Sequence, residues 1–490
     1  MKLKTLTTAI LFATLPATSV FAAALDRSGQ SMSAFLQPDN YFEAGISILD
    51  PTVEGVESGE TPTRRNIEDM ADDYYFPSAA LKLQLTDNIS FGLLYDQPFG
   101  AKAAYHGENA FVSHPGADTV LPQQKLDALA DAGKAKIQAY MQSDAAKEAI
   151  GALMQKGLSQ ADATNAVLKE ASKPLVALAT GLADANASLG KGNTNVEVDT
   201  QNLSLVFGFQ PTKNINLYAG GVYQTIKGNV NLRGTAYSLY NGYDANIKET
   251  GGTGWLAGAA YQIPEIALKA SITYRSEIDH DVNAVERLSV ESALDRHPAV
   301  LAGLGVTAEQ ITAMKTPGKT TITTPQSVNL DFQTGIMENT VAFANLRWVN
   351  WKDFAIRPYK FGKVSEAIGN LVNRPNGFNL VEYSDDQYSV TAGVGRKLND
   401  KWAGNVSVGW DSGAGNPVST LGPTEGYWNA GLGVQYSPTP ATFIAGGVKY
   451  FWLGDADAQT GAQAGESHRK VASFSDSNAI AYGLKIGYKF

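Results

Sequence analysis

Apolar and small or polar residues take strict turns along much of this 490-residue chain. The last thirteen residues set the pattern: Ile480, Tyr482, Leu484, Ile486, Tyr488 and Phe490 share one parity, and Ala479, Ala481, Gly483, Lys485, Gly487 and Lys489 share the other. A period of two places alternate side chains on opposite faces of a strand. Similar alternation marks Tyr41–Leu49, Ala80–Thr86, Ile89–Tyr95, Leu203–Phe209, Ile215–Thr225, Trp255–Tyr261 and Ile266–Tyr274. It returns in Val328–Phe332, Ala342–Trp348, Tyr388–Val394, Trp402–Trp410, Trp428–Tyr436 and Phe443–Phe451, which brings the expectation to about fourteen strands. A soluble sandwich would bury the greasy face in a core, whereas a membrane barrel would turn it to lipid.

The connections separate these readings. Short polar turns join several segments: Leu85-Thr86-Asp87-Asn88, Pro211-Thr212-Lys213-Asn214, Leu398-Asn399-Asp400-Lys401 and Ser437-Pro438-Thr439-Pro440. Others are joined by long excursions. Short turns alternating with long loops, with aromatics near strand ends, are the pattern of an outer-membrane barrel. Closure satisfies every backbone polar group, as lipid requires. The expectation is therefore an all-β fold, a transmembrane antiparallel β-barrel with its greasy face to lipid.

Composition agrees. The chain opens Met1-Lys2-Leu3-Lys4, runs through an apolar stretch from Leu6 to Val20, and reaches Phe21-Ala22-Ala23-Ala24, the layout of an export signal. Residues 1–22 are expected to be removed. No later apolar run is long enough for a spanning helix. With no Cys, the exported chain does not rely on disulfides, and its net charge of −9 argues against nucleic acid as a partner.

Two excursions are not strand-like. From Leu121 to about Leu189 the apolar residues Leu126, Leu129, Ile137, Tyr140 and Met141 fall at helical spacing, with Gly133 among them, and Ser159 with Asp162 predicts a helix start. Thr307-Ala308-Glu309-Gln310 predicts another within 281–319. Amphipathic helices on a barrel rim would leave an apolar groove for a hydrophobic ligand.

Several stretches then resemble one family, the FadL-type outer-membrane transporters of long-chain fatty acids and other hydrophobic compounds. They are Phe76-Pro77-Ser78-Ala79-Ala80, Asp96-Gln97-Pro98-Phe99-Gly100, Gly254-Trp255 with Tyr261-Gln262, and Tyr274-Arg275-Ser276-Glu277-Ile278-Asp279-His280. Thr324-Pro325, Trp351-Lys352-Asp353-Phe354 and Trp410-Asp411 complete the series, which spans the chain from about residue 40 onward. The resemblance implies a fourteen-stranded barrel with an N-terminal hatch inside, helical extracellular loops that catch ligand, and a kinked third strand that releases it sideways. On that basis residues 23–39 form the hatch, with Arg27, Ser28 and Gly29 at its start. Residues 40–490 form the barrel, with helical insertions at about 107–194 and 280–320. The family's Asn-Pro-Ala hatch step is missing, so the hatch looks shortened. Terminal Phe490 is similar to the aromatic signal that the barrel-assembly machinery reads, and the expected location is the outer membrane of a Gram-negative bacterium.

Pro98 stands out physically, because proline donates nothing to a strand ladder. Gln97, Pro98, Phe99 and Gly100 continue the strand Ile89–Tyr95, so on the residues alone they either end the strand at a loop or open a gap in the wall, and the family resemblance implies the gap. A ligand carboxylate needs a cationic partner inside. Parity points Lys269, Arg275, Phe343, Asn345 and Arg347 inward, with Asn405, Ser407 and Asp411 on another strand. Arg347, Arg275 and Asp411 are the leading candidates for a ligand-proximal network, with Phe343, Asn345 and Lys269 beside it.

No nucleophile elbow, zinc-protease motif or phosphate loop occurs, and the five His have no ligand spacing. The expectation is a non-enzymatic, monomeric channel without metal or cofactor, embedded in outer-membrane lipid and taking up long-chain fatty acids passively. Monoaromatic or other hydrocarbons are the nearest alternative cargo, and a diffusion porin or adhesin is the alternative of a different class.

Overall fold

The computed structural model describes residues 25–490, so the signal-peptide expectation lies outside the described residues. Fourteen strands form the wall. In chain order they are Tyr41–Thr52 (β1), Tyr74–Gln84 (β2), Ile89–Asp96 (β3), Asn195–Thr212 (β4), Ile215–Leu232 (β5), Tyr243–Ile263 (β6) and Leu268–Arg275 (β7). Then come Ser327–Met337 (β8), Thr340–Val349 (β9), Gln387–Lys397 (β10), Trp402–Asp411 (β11), Tyr427–Thr439 (β12), Thr442–Leu453 (β13) and Asn478–Lys489 (β14). Each pairs antiparallel with its chain neighbours. The wall closes where β1 meets β14, in register from Tyr41↔Lys489 to Thr52↔Asn478. Among the described residues no helix is long and apolar enough to cross a membrane; the crossing is made by strands.

The alternation explains the lipid face. Leu203, Leu205, Phe207 and Phe209 on β4 are exposed, as are Leu217 and Tyr223 on β5 and Trp402, Val406 and Val408 on β11. The strands run past the greasy stretch, however. β4 and β5 have 18 residues each and β6 has 21, well beyond the segments expected from alternation alone. On β4 the apolar parity inverts above Leu203: Val196 and Val198 are buried, while Glu197 is exposed and Asp199 and Gln201 are half-buried. Outside the membrane the outer face meets water and the inner face meets protein, so the sequence signal reverses while the strand continues.

All short turns lie at one end. At the other, the long connections fold into a cap with its own core, in which Tyr105, Phe111, Tyr240, Trp351, Phe354, Phe361, Phe378 and Phe474 are buried. Tyr240 stacks on Phe361 at a centroid distance of 4.4 Å, and Phe378 meets both edge-on. This cap takes in segments that the alternation left unread, including the helix Tyr359–Ile368 and a small five-stranded sheet.

The connection after β3 carries the helices Gln123–Gln142 (α1), Asp144–Gln155 (α2) and Gln160–Ala187 (α3). Ser159 caps α3 by accepting from the Asp162 N–H at 3.1 Å. Gly133 lets α1 close on α3, since a Cβ there would lie 2.6 Å from Leu175 Cδ1. The connection after β7 carries three short helices, and Thr307 and Gln310 form the capping box of the last, Ala308–Lys315. Asp184 of α3 ties the two excursions together through Arg296 at 2.8 Å and His297 at 3.1 Å.

Candidate functional site

Residues 25–40 lie inside the barrel and make little regular structure. Met32, Phe35 and Leu36 are buried in a second apolar cluster with Tyr218, Leu256 and Phe443 of the wall. The wall is thinned to receive them. A Cβ on Gly92 would lie 2.4 Å from the Phe35 ring. Polar anchors hold the other end. The Arg347 guanidinium donates from Nε to Asp26 Oδ2 at 2.6 Å and from Nη2 to Asp26 Oδ1 at 3.2 Å. It also donates to Asn329 Oδ1 at 2.7 Å, Gln30 Oε1 at 3.1 Å and the Gly29 carbonyl at 3.4 Å. A forked, charge-assisted pair of this kind is directional as well as strong. Arg347 is thus committed to residues 26–30.

The wall is broken beside this segment. Pairing of β2 with β3 ends at Ala79↔Tyr95, although β2 continues to Tyr74. Opposite those unpaired residues the chain runs through Gln97, Pro98 and Phe99 before Gly100–Ala104 resumes pairing with β4. The register there shifts by one residue, from Asp96↔Asn202 to Gly100↔Asp199. Phe99 stays fixed to β4 through Thr200, whose N–H donates to the Phe99 carbonyl at 3.1 Å. On its other edge the kink pairs with the N-terminal segment in place of β2. The Pro98 carbonyl accepts from the Arg27 N–H at 2.6 Å, the Gly100 N–H donates to the Leu25 carbonyl at 2.8 Å, and Asp26 bridges Phe99. Ser28 hydrogen-bonds Asp96. Gly100 leaves room for the Arg27 side chain, since a Cβ would fall 2.1 Å from its guanidinium carbon.

Two chambers meet at this break. The upper, of about 60 Å³, is almost wholly apolar: Leu49, Phe76, Val196, Val198, Val230, Ile247, Ile356, Leu380 and Leu421 line it together with Tyr74 and Gly100. Its buried cation is Arg27, whose Nη1 pairs with Asp199 at 3.2 Å and whose guanidinium lies 4.1 Å from the Tyr74 ring centroid. Arg27 Nη2 is buried without a hydrogen-bond partner. The lower chamber, of about 200 Å³, is bounded by residues 28–36 of the N-terminal segment, by Ala79, Tyr95 and Asp96 at the break, and by lumen residues including Lys269, Arg275, Phe343, Asn345, Asn405 and Ser407.

The residues singled out from sequence are therefore distributed. Arg275, Lys269, Phe343 and Asn345 share the lower chamber, with Asn345 donating to Asp331 at 2.8 Å. Arg347 anchors the N-terminal segment. Asp411 lines neither chamber and makes no hydrogen bond to either arginine; it accepts from Gln387 at 2.6 Å and from the Gly413 N–H at 2.9 Å. Gln387 in turn accepts from the buried Trp351 indole at 2.7 Å, so Asp411 belongs to the base of the cap. Pro98, Phe99 and Gly100 form the kink, and Gln97 turns its amide to Tyr95. Arg27, Ser28 and Gly29 all contact the kink or the wall. Sequence reasoning missed Asp26 and Asn329 as partners of Arg347, and Lys449 in the lower chamber. Parity would have found Lys449, which shares a face with the buried Phe443 and Phe451.

In the cap, burial pushes the Glu425 carboxyl up to about 7, a rise that nearby Asp411 and Asp385 reinforce and the Gly415 N–H opposes. Burial also raises the Tyr240 phenol.

Comparison with known proteins agrees with the architecture. A family described as outer membrane protein transport protein (OMPP1/FadL/TodX) matches residues 176–490. No curated protein matches the chain significantly. A Pseudomonas aeruginosa FadL homologue of known crystal structure is 12% identical, with 99% of this chain and 96% of that one covered at a TM-score of 0.58. The P. putida toluene transporter TodX is 10% identical over 93% and 91%, at 0.50. The Ralstonia pickettii toluene transporter TbuX is 10% identical over 98% and 99%, also at 0.50.

Proposed function

The chain belongs to the OMPP1/FadL/TodX family of outer-membrane transport proteins, channels for hydrophobic compounds, and we propose that its cargo is long-chain fatty acid released sideways at the break beside Pro98. One observation carries this reading. An apolar chamber ends at a buried guanidinium, Arg27, with a nitrogen to spare, and both margins of the break border it. Apolar walls suit an alkyl tail. A carboxylate head is costly to bury unless a cation meets it. The same segment that carries Arg27 supplies the backbone partners of Pro98 and Gly100, so cargo reaching Arg27 is already at the gap. Helices α1 to α3 and the second excursion, joined by Asp184, form the outer surface on which cargo is first caught.

A second reading, uptake of monoaromatic hydrocarbons, draws on the small size of the upper chamber, which suits a single ring more readily than an extended chain. TodX and TbuX are named as toluene transporters. This cargo carries no charge and needs no cation.

The test is uptake of radiolabelled oleate and of toluene by cells lacking such channels. They would express either this chain or a variant with residues 97–100 replaced by a regular strand sequence, and folding would be checked by heat-modifiable gel mobility. Oleate uptake by the native chain, lost in the folded variant, is the expected result. Toluene uptake without oleate uptake would transfer the function to the second reading. Oleate uptake unchanged in the variant would remove the sideways exit.

A further inference from the structure

The lower chamber carries an imbalance of charge. Four cations, Lys269, Arg275, Lys449 and Lys485, line it against three carboxylates, Glu43, Asp96 and Asp331. Lys485 is paired with Glu43 at 3.0 Å. Asp96 accepts from Ser28, and Asp331 from Asn345. Lys449 is 5% exposed and has no carboxylate within ion-pair distance among the described residues. Arg275 is 6% exposed. Its Nη2 donates to the Gln30 carbonyl at 3.2 Å and meets Met32 Sδ at 3.3 Å, but Nε and Nη1 are buried with no partner. A guanidinium with two idle donors and an ammonium without a carboxylate partner share this cavity, a surplus of positive charge that a bound anion would offset.

We propose that this chamber is an anion station on the far side of the hatch segment, in which Arg275 takes the carboxylate head of an amphiphilic cargo and Lys449 supplies the unbalanced positive charge. The inference rests on the fatty-acid reading and adds a second head-group position to it. The two cations stand six strands apart around the wall, so Arg275 makes the contact and Lys449 acts across the lumen. The chamber reaches Ala79, Tyr95 and Asp96 at the lower margin of the break. A head held at Arg275 therefore leaves its tail at the gap, so this cargo moves head inward and tail toward lipid. A neutral hydrocarbon has no use for such a station.

The test is binding to the full barrel in nanodiscs with three probes: decanoate carrying a 13C-labelled carboxyl, decanol and acetate. Arg275→Gln is expected to weaken decanoate binding about tenfold, the scale of one charge-assisted contact, Lys449→Met to weaken it by a smaller factor, and both to leave decanol unchanged. The bound carboxyl resonance should stay ionised to lower pH in the native chain than in either variant. If the native chain binds neither decanoate nor decanol, the transport reading itself fails. If both probes weaken together in the variants, the cations serve structure and the station is overturned. If Arg27→Gln alone abolishes the ionised signal, the head sits in the upper chamber and the station is again overturned. If acetate displaces decanoate at equal concentration, the chamber holds a small counter-ion and no amphiphile.

Discussion

The bond between Asp26 and Arg347 should decide whether residues 25–40 stay seated inside the barrel. Both side chains are buried, at 1% and 5% exposure, and they meet through two nitrogens and two oxygens. In Asp26→Asn one oxygen becomes an amide that also donates, set against a guanidinium with nowhere to turn. Removing one partner of a buried pair costs about 3–5 kcal/mol, because the surviving charge stays buried alone. The wall does not depend on this contact, since β9 remains fully paired with β8 and β10. The loss therefore falls on retention of residues 25–40, and at about 1.4 kcal/mol per factor of ten it shifts that equilibrium roughly a hundred- to a few-thousand-fold toward release. Burial of Phe35 and its neighbours still favours closure, so the expected outcome is a frequently open lumen in an intact barrel. Planar-bilayer conductance of the purified, heat-modifiable protein measures this directly. The native chain should be quiet, Asp26→Asn should conduct in long openings, and Asp26→Leu combined with Arg347→Met should be quiet again, because two apolar groups leave no buried charge. An Asp26→Asn barrel as tight as the native one would refute the reasoning.

Three further outcomes follow from the same geometry. Gly100→Ala forces a methyl into the Arg27 guanidinium, so the Arg27–Asp199 pair should open and cargo uptake should fall several-fold, while strand pairing measured by hydrogen exchange stays native. The Glu425 carboxyl lies higher when folded, at about 7, than its ordinary value of 4.5, so its stabilising protonated form is complete below about 4.5 and lost as pH rises through about 7. Hydrogen exchange in residues 412–426 should accordingly speed up between those values in the native chain and stay flat in Glu425→Gln. Asp184→Ala removes the acceptor shared by Arg296 and His297, and spin-label distances between α3 and residues 291–303 should broaden; an unchanged distribution would show that apolar contacts alone hold the excursions together.

Much of the wall was legible because lipid imposes the plainest pattern a strand can carry. Leu203 to Phe209 and Ile480 to Phe490 advertise themselves, since every second residue meets hydrocarbon. Legibility ended where that solvent ended. Val196 and Val198 carry the same strand upward with the opposite parity, so the greasy pattern changes phase there and does not continue as one run. Pro98 was visible as a break, because a missing N–H is a property of the residue alone. The cap was not: Trp351, Phe361 and Phe378 lie far apart in sequence, and only folding brings them into one aromatic core.

Strand number, inward and outward faces, helix starts at Ser159 and Thr307, and the site of the kink were determined by the sequence, through local sterics, capping and periodicity. The partners were decided by tertiary structure alone. Parity aimed Arg347, Arg275 and Asp411 into one lumen, but their roles diverged according to what the third dimension set opposite each. Arg347 met Asp26 of a segment more than three hundred residues away, Asp411 met Gln387 under the cap, and Arg275 kept two nitrogens unpaired beside a cavity. Electrostatic outcome depends on distance and burial, and neither is written in the spacing of residues along a strand.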